Sequence, residues 1–248
     1  MKTAGARALL VAGIGFGVVL NGCGGADERT ATTSSAPRTT QAATTTVSPG
    51  SRGPIPAALR RAESDAEDTI DLALAGKRAR VIEKAHDLRA DADGAAARAL
   101  RSAGVSGDEI AEFRARATTV ATLARSAGLL DVALASNRAF ELMSGFFARY
   151  DSPIPPTVTA LDHLDYEAKL QARAGNVSAI GSAVKELDRT WASLGPDVIK
   201  AGGERVAARF DAHVARLGRL AARGGPAVAR EAQRGLDLVD EIEAVYRH

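Results

Sequence analysis

Beyond Pro54, apolar residues recur three or four positions apart. Ile110, Phe113, Ala117, Val120 and Leu123 form one such series, and Val132, Ala135, Ala139, Leu142, Phe146 and Tyr150 another. That period gathers each series on one face of an α-helix. Alternating runs rich in Val, Ile and Thr, the mark of a half-buried strand, do not occur there. Ala, Leu, Arg and Glu, all good helix formers, dominate the same stretch. Gly76, Gly104, Gly128, Pro153, Gly175, Gly202-Gly203 and Gly224-Gly225-Pro226 fall between the apolar stripes, where helix ends and starts want them. Ser106-Gly107-Asp108-Glu109 reads as a capping box. The pattern predicts helices over 57–75, 77–103, 107–127, 129–150, 156–174, 177–200, 204–223 and 226–246.

These segments fall into two matching sets. Pro54-Ile55-Pro56 returns as Pro153-Ile154-Pro155, and Ala75-Gly76 returns as Ala174-Gly175 at the same offset. Glu63 then falls on Asp162 and Asp68 on Glu167; after short deletions, Phe113 falls on Phe210, Glu141 on Asp237, Arg138 on Arg234 and Tyr150 on Tyr246. The expected fold class is all-α, a tandem duplication of a four-helix unit over 54–150 and 153–248. Short connections favour antiparallel neighbours, so the pair forms either two four-helix bundles or one eight-helix body.

The start of the chain has a different pattern. Lys2 and Arg7 precede an apolar run from Ala8 to Leu20, too short for a spanning helix, and Leu20-Asn21-Gly22-Cys23 follows at once. Leu at −3, Gly at −1 and Cys at +1 resemble the lipobox of bacterial lipoproteins, with Asn21 standing where that pattern prefers a small residue. The resemblance implies a signal peptide over 1–22, cleavage ahead of Cys23, and a covalent lipid on the Cys23 thiol as membrane anchor. Cys23 is the only cysteine of the chain, so no disulfide forms. From Gly24 to Gly53 the chain is mostly Thr, Ser, Ala, Gly and Pro with almost nothing large and apolar, which buries too little to order itself; residues 23–53 are expected to be a tether.

Charge and motifs narrow the function. Two of the 32 Lys and Arg lie in the signal, and all 30 acids follow it, so the exported chain carries no net charge and its pI of about 8.8 gives no reason to expect a nucleic-acid partner. No nucleophile elbow, phosphate loop, H-E-x-x-H or haem-attachment motif occurs, so no enzyme activity is expected. Glu83 and His86 have the E-x-x-H spacing of di-iron bundles, but the matching positions hold Ser182 and Lys185, so that pair reads as a solvated face.

His163 and Glu167, four apart on one helix, are candidate ligands for a divalent metal, with His213 as a third from another helix. Trp191 fills core or walls an apolar pocket, and Phe146-Phe147 packs the junction between units. The matched acids pair with Arg138 and Arg234, or act in function if they face an open groove. No cofactor beyond the lipid is expected. The reading is a lipid-anchored, extracytoplasmic helical binding or interaction module of the cell envelope, with an envelope protein as partner. Its alternative is a small-ligand or metal-binding bundle with the site in the second unit. A ligand site predicts a concave pocket lined by convergent polar groups, and a partner module predicts an exposed apolar groove.

Overall fold

The computed structural model describes residues 52–247; the predicted signal peptide, Cys23 and nearly all of the tether lie outside them. The first half contains α1 (Ala57–Leu74), α2 (Arg78–Asp93), α3 (Ala95–Ser102), α4 (Gly107–Ser126), α5 (Leu129–Phe140) and α6 (Leu142–Phe147). The second contains α7 (Pro156–Ala174), α8 (Val177–Lys200), α9 (Glu204–Ala221) and α10 (Pro226–Tyr246). They make eight rods. The α2–α3 rod bends at Gly94, whose carbonyl still accepts from the Arg98 N–H, and the α5–α6 rod passes through Glu141, which keeps helical dihedrals. The fold is therefore all-α with eight rods, and no strand occurs among the described residues beyond one isolated bridge between Pro54 and Asp151.

The helix ends follow local chemistry. Ser106 Oγ accepts from the Glu109 N–H while Glu109 accepts from the Ser106 N–H, which completes the capping box on α4. Gly175 closes α7 with φ +74°, a left-handed conformation that costs glycine little. The fourth rod stops at Phe147, short of Tyr150. There the Arg149 and Tyr150 N–H groups turn to carbonyls three residues back, Asp151 N–H donates to Arg52 O at 2.7 Å, and Tyr150 Oη donates to Ala99 O.

Each half is a closed ring of four rods with the same neighbour order, α1–α2–α4–α5 and α7–α8–α9–α10. Neighbours run antiparallel: Arg61 meets Asp91 and Lys84 meets Asp65 between α1 and α2, while Asp165 and His213 join α7 to α9 across the second ring. The two rings have two cores. Leu59, Ile70, Leu88, Phe113 and Phe140 anchor the first, and Leu161, Ile180, Leu187, Phe210 and Ile242 the second. The cores meet on α7, whose Tyr166 and Leu170 pack into the first while Leu161, Leu164 and Ala168 pack into the second. Phe140 meets Tyr166 edge to face at 6.2 Å, and Ser144 Oγ donates to Pro156 O, so the rings are joined through apolar and polar contacts alike. No described helix is long and apolar enough to cross a membrane.

Candidate functional site

Three of the helices carry a second stripe beside the buried one. On α1, Leu59, Ala62, Ala66, Ile70 and Ala73 enter the first core, while Glu63, Glu67 and Asp71 stand four apart on the adjoining face with Asp68 beside them. On α10, Val228, Ala232, Val239 and Ile242 are buried, and Asp237, Asp240 and Glu243 follow one another along the next face. On α7, Asp162 and Tyr166 lie one turn apart. Packing the two rings through α7 turns these stripes toward one another. They line a cleft of about 520 Å³ holding eight carboxylates, with Arg60 and Arg247 the basic side chains on its wall.

Such an arrangement opposes folding in the absence of a counter-charge. Like charges four apart on a helix repel, and burial makes the repulsion larger. Burial first, and then the charge of Glu243, push the Glu63 carboxyl up to about 7, although Thr159 Oγ1 donates to it. Burial and the charges of Glu63 and Glu243 push Glu67 up to about 8. Asp162 is lifted well above the ordinary carboxylate range by burial and by Glu67, Glu243 and neighbouring acids. Asp162 is half-buried and lines the cleft.

One end of the cleft is already neutralised from within. Lys169 is 6% exposed, and its Nζ donates to Gln233 Oε1 at 2.6 Å, lies 3.9 Å from Asp71 and sits 5.2 Å from the centre of the Tyr166 ring. Carboxylate, amide oxygen and aromatic face together make an alkylammonium site. At the other end Arg247 pairs with Glu243, and Asp68 is drawn off by Lys84 at 2.9 Å. Glu67 and Asp162, between those ends, have no hydrogen-bond or ion-pair partner among the described residues.

The predicted ligands His163, Glu167 and His213 do not come together. Glu167 accepts from Asn137 Nδ2 at 2.9 Å, and His163 Nδ1 lies 3.3 Å from Asn137 Oδ1, so both serve the contact between α5 and α7. Burial lowers the His163 ring below its ordinary pKa, against the charges of Glu141 and Glu167. His213 instead enters the second core: Nε2 lies 3.0 Å from Asp165 Oδ1 and Nδ1 3.5 Å from Glu231 Oε1, with Phe210 edge-on at 5.2 Å. Burial opposes the charged ring, but the bond to Asp165 and the charges of Asp165 and Glu231 outweigh it and raise His213. Among the described residues no three His, Cys, Asp or Glu side chains converge as metal ligands. His163 and Glu167 thus serve one structural contact and His213 another, because α7 turns His163 toward the first ring and Asp165 into the second.

Other expectations resolve the same way. His86 and Glu83 are solvated, their side chains 77% and 59% exposed. Glu141 pairs with Arg116 in place of Arg138, and Arg234 pairs with Glu231 in place of Asp237. The matched acids Glu63 and Asp162 face the cleft together, as do Asp68 and Asp237. Glu67, Asp71, Asp240 and Glu243 were not legible as site residues from the duplication, since Tyr166 and Leu170 occupy the positions matching Glu67 and Asp71. The available signal was the acidic repeat at 63, 67 and 71, a pattern that costs helix stability and therefore asks for a reason.

Trp191 does both things expected of it. It packs on Phe210 at 4.4 Å, donates from Nε1 to Asp211 Oδ1 at 2.6 Å, and stands at one end of a mainly apolar groove of about 570 Å³ between α8 and α9. Gly181 and Gly218 keep that groove open, for a β-carbon at either would meet nothing within 4 Å. Phe147 reaches the cleft wall, whereas Phe146 packs edge-on against Phe113 in the first core. Comparison with protein-family models, with curated proteins and with solved structures finds no match for this chain.

Proposed function

We propose that this protein is a lipid-anchored, extracytoplasmic binding protein of the cell envelope whose site is the cleft between its two helical rings, and that its ligand is a cation. The reading combines the lipobox-like start at Cys23 with a body read as two copies of one unit. The observation that carries it is the row of carboxylates from α1, α7 and α10 turned into one concave space. A site of this form is concave and lined by convergent polar groups, as a small-ligand site should be. Eight acids against the two arginines of the wall, and against the Lys169 and Lys84 that meet Asp71 and Asp68, leave an acidic excess, which draws cations and repels anions. The body holds these acids close at a cost in repulsion, and a bound cation removes that cost. The site belongs to both rings rather than to the second unit alone. No side chain of the cleft forms a nucleophile–base pair, so the reading is of binding without chemistry.

The test is the thermal unfolding of the full-length chain at pH 8 and low salt with a panel of inorganic and organic cations. A ligand at 100 times its Kd adds about 2.7 kcal/mol. At least one cation is expected to raise the midpoint in the parent chain and not in Glu67→Gln combined with Asp162→Asn. A midpoint indifferent to every cation ends the reading.

A second reading is favoured by the α8–α9 groove: an amphipathic helix of an envelope protein seats its apolar side chains beside Trp191. Gly218→Leu fills the groove without meeting a neighbour at Cβ, and it should abolish a photo-crosslink formed from Val177 in intact membranes. A crosslink that persists in Gly218→Leu removes the groove from the function.

A further inference from the structure

The groove between α8 and α9 is long and narrow. The hydrogen bond from Trp191 to Asp211 stands at one end, and Val177, 44% exposed, lies beside Gly224 at the other. From Val177 to Trp191 the helix rises about 21 Å. Spread over that length, the groove's 570 Å³ or so give a mean section of about 27 Å², roughly a third of that of an α-helix about 10 Å across. One extended polymethylene chain fits such a section. Two side by side do not, and neither does the body of a helix.

The first ring has the same seam closed. There α2 and α4 hold the place that α8 and α9 hold in the second ring. Arg78 reaches from α2 to the carbonyls of Ala124 and Ala127 at 3.0 and 2.8 Å, and Arg114 reaches back from α4 to those of Ala92 and Asp93 at 3.3 and 3.2 Å. In the register that sets Pro54 on Pro153 and Phe113 on Phe210, Val177 stands for Arg78, Gly181 for Ile82 and Asp211 for Arg114. Both crossing arginines are thus replaced, one by an apolar side chain and the other by a carboxylate that already holds the indole N–H. Gly181 and Gly218 open the seam further from opposite walls. Glycine inside a helix is unfavourable beside alanine, and a β-carbon at either position has room, so what these glycines keep is the space itself.

Charge gives an occupant its direction. The Lys185 ammonium on the α8 wall has no hydrogen-bond or ion-pair partner among the described residues, and it lies on the Val177 side of Asp188 and Asp211. Between the ends the walls are apolar, with Val184 and Val214 facing the groove. We infer that the α8–α9 groove binds one long-chain fatty acid, its carboxylate toward the Val177 end within reach of Lys185 and its methyl end against Trp191. The groove shares no residue with the acidic cleft, so the ligand of one does not decide that of the other. Within the groove the fatty acid stands in place of the helix of an envelope protein.

Trp191 is the only tryptophan of the chain, so its fluorescence reads the groove directly. The experiment is quenching of that fluorescence in the full-length chain, held in phosphatidylcholine nanodiscs at pH 8, by 16-bromohexadecanoic acid, 2-bromohexadecanoic acid and 16-bromohexadecan-1-ol. The 16-bromo acid is expected to quench at least threefold more strongly than the 2-bromo acid. Gly218→Leu, which meets no neighbour at Cβ, should weaken binding of the 16-bromo acid at least tenfold with the thermal midpoint unchanged or raised, so that lost binding is not lost fold. Lys185→Gln should weaken the 16-bromo acid at least threefold and leave the 16-bromo alcohol unchanged. Quenching that is absent, that is equal for the two bromine positions, or that persists in Gly218→Leu overturns the site. An acid indifferent to Lys185→Gln overturns the fatty acid as its ligand. Equal quenching by nanodiscs of chain-brominated phosphatidylcholine gives the groove to the bilayer, and a Val177 crosslink to an envelope protein that hexadecanoic acid does not displace gives it to a helix; either result overturns the inference.

Discussion

Gly235 of α10 stands so close to Asp165 of α7 that a β-carbon at position 235 would lie 2.1 Å from Asp165 Oδ2 and 2.4 Å from its Cγ. The missing side chain lets the two helices approach and lets the buried carboxylate lean across to His213. One oxygen of that carboxylate, Oδ2, has no hydrogen-bond partner, so it has little else to lean on.

Gly235→Ala is therefore expected to destabilise the protein by about 3 kcal/mol, although alanine is the better helix former. The added methyl must push Asp165 off His213 or push α10 away from α7. Denaturant unfolding of the two proteins measures it, and an unchanged midpoint would show that the helices part freely.

The Asp165–His213 pair predicts non-additive mutations. His213→Ala leaves Asp165 buried beside Glu231 without its partner, which should cost about 3–5 kcal/mol. Removing Asp165 as well, as Asp165→Ala with His213→Ala, should cost less than the sum of the single changes by more than about 1 kcal/mol. Additive losses in a double-mutant cycle would mean that the two side chains do not act together.

The cleft sets a pH dependence of known sign. Burial pushes Glu63 to about 7 and Glu67 to about 8, both above the ordinary 4.5, so the folded state holds protons that the unfolded chain has released. That contribution is complete below pH 4.5 and is lost as pH rises toward 8. Stability without ligand should fall over this window. Glu63→Gln with Glu67→Gln should flatten the fall by on the order of 1 kcal/mol per carboxyl. A residual slope of the same sign is expected from Asp165, which burial pushes up to about 6, and from the raised His213. Chemical denaturation between pH 5 and 8 checks it; a stability that rises with pH contradicts the assignment.

Cys23→Ala should abolish incorporation of labelled fatty acid and release the protein from the membrane fraction. Labelled-palmitate growth of the two strains, followed by fractionation, measures both. Label retained on the variant would remove the anchor.

The helices were legible because a helix is a local object: the apolar period, the capping box at Ser106 and the glycine at 175 act within a turn or two of themselves. The same holds for the Pro-Ile-Pro marks that divide the chain in two halves of like ring order. The end of the fourth rod at Phe147 was not legible, since it depends on Asp151 meeting Arg52, about a hundred residues away.

The chain's pattern by itself determined an all-α body of eight rods, the positions of most helix ends and the apolar faces of the 107–127 and 129–150 segments. Only the tertiary structure decided where the remaining faces point. Which way α7 rolls between the rings separates His163 from His213, draws Asp165 into the second core, and places Asp162 on the cleft that Glu67 also lines. A residue's place on its own helix follows from a spacing of 3.6 residues, but what it faces follows from how helices far apart in the chain pack together. The acids of α1 and α10 are separated by some 170 residues of sequence, and only packing makes them walls of one cleft.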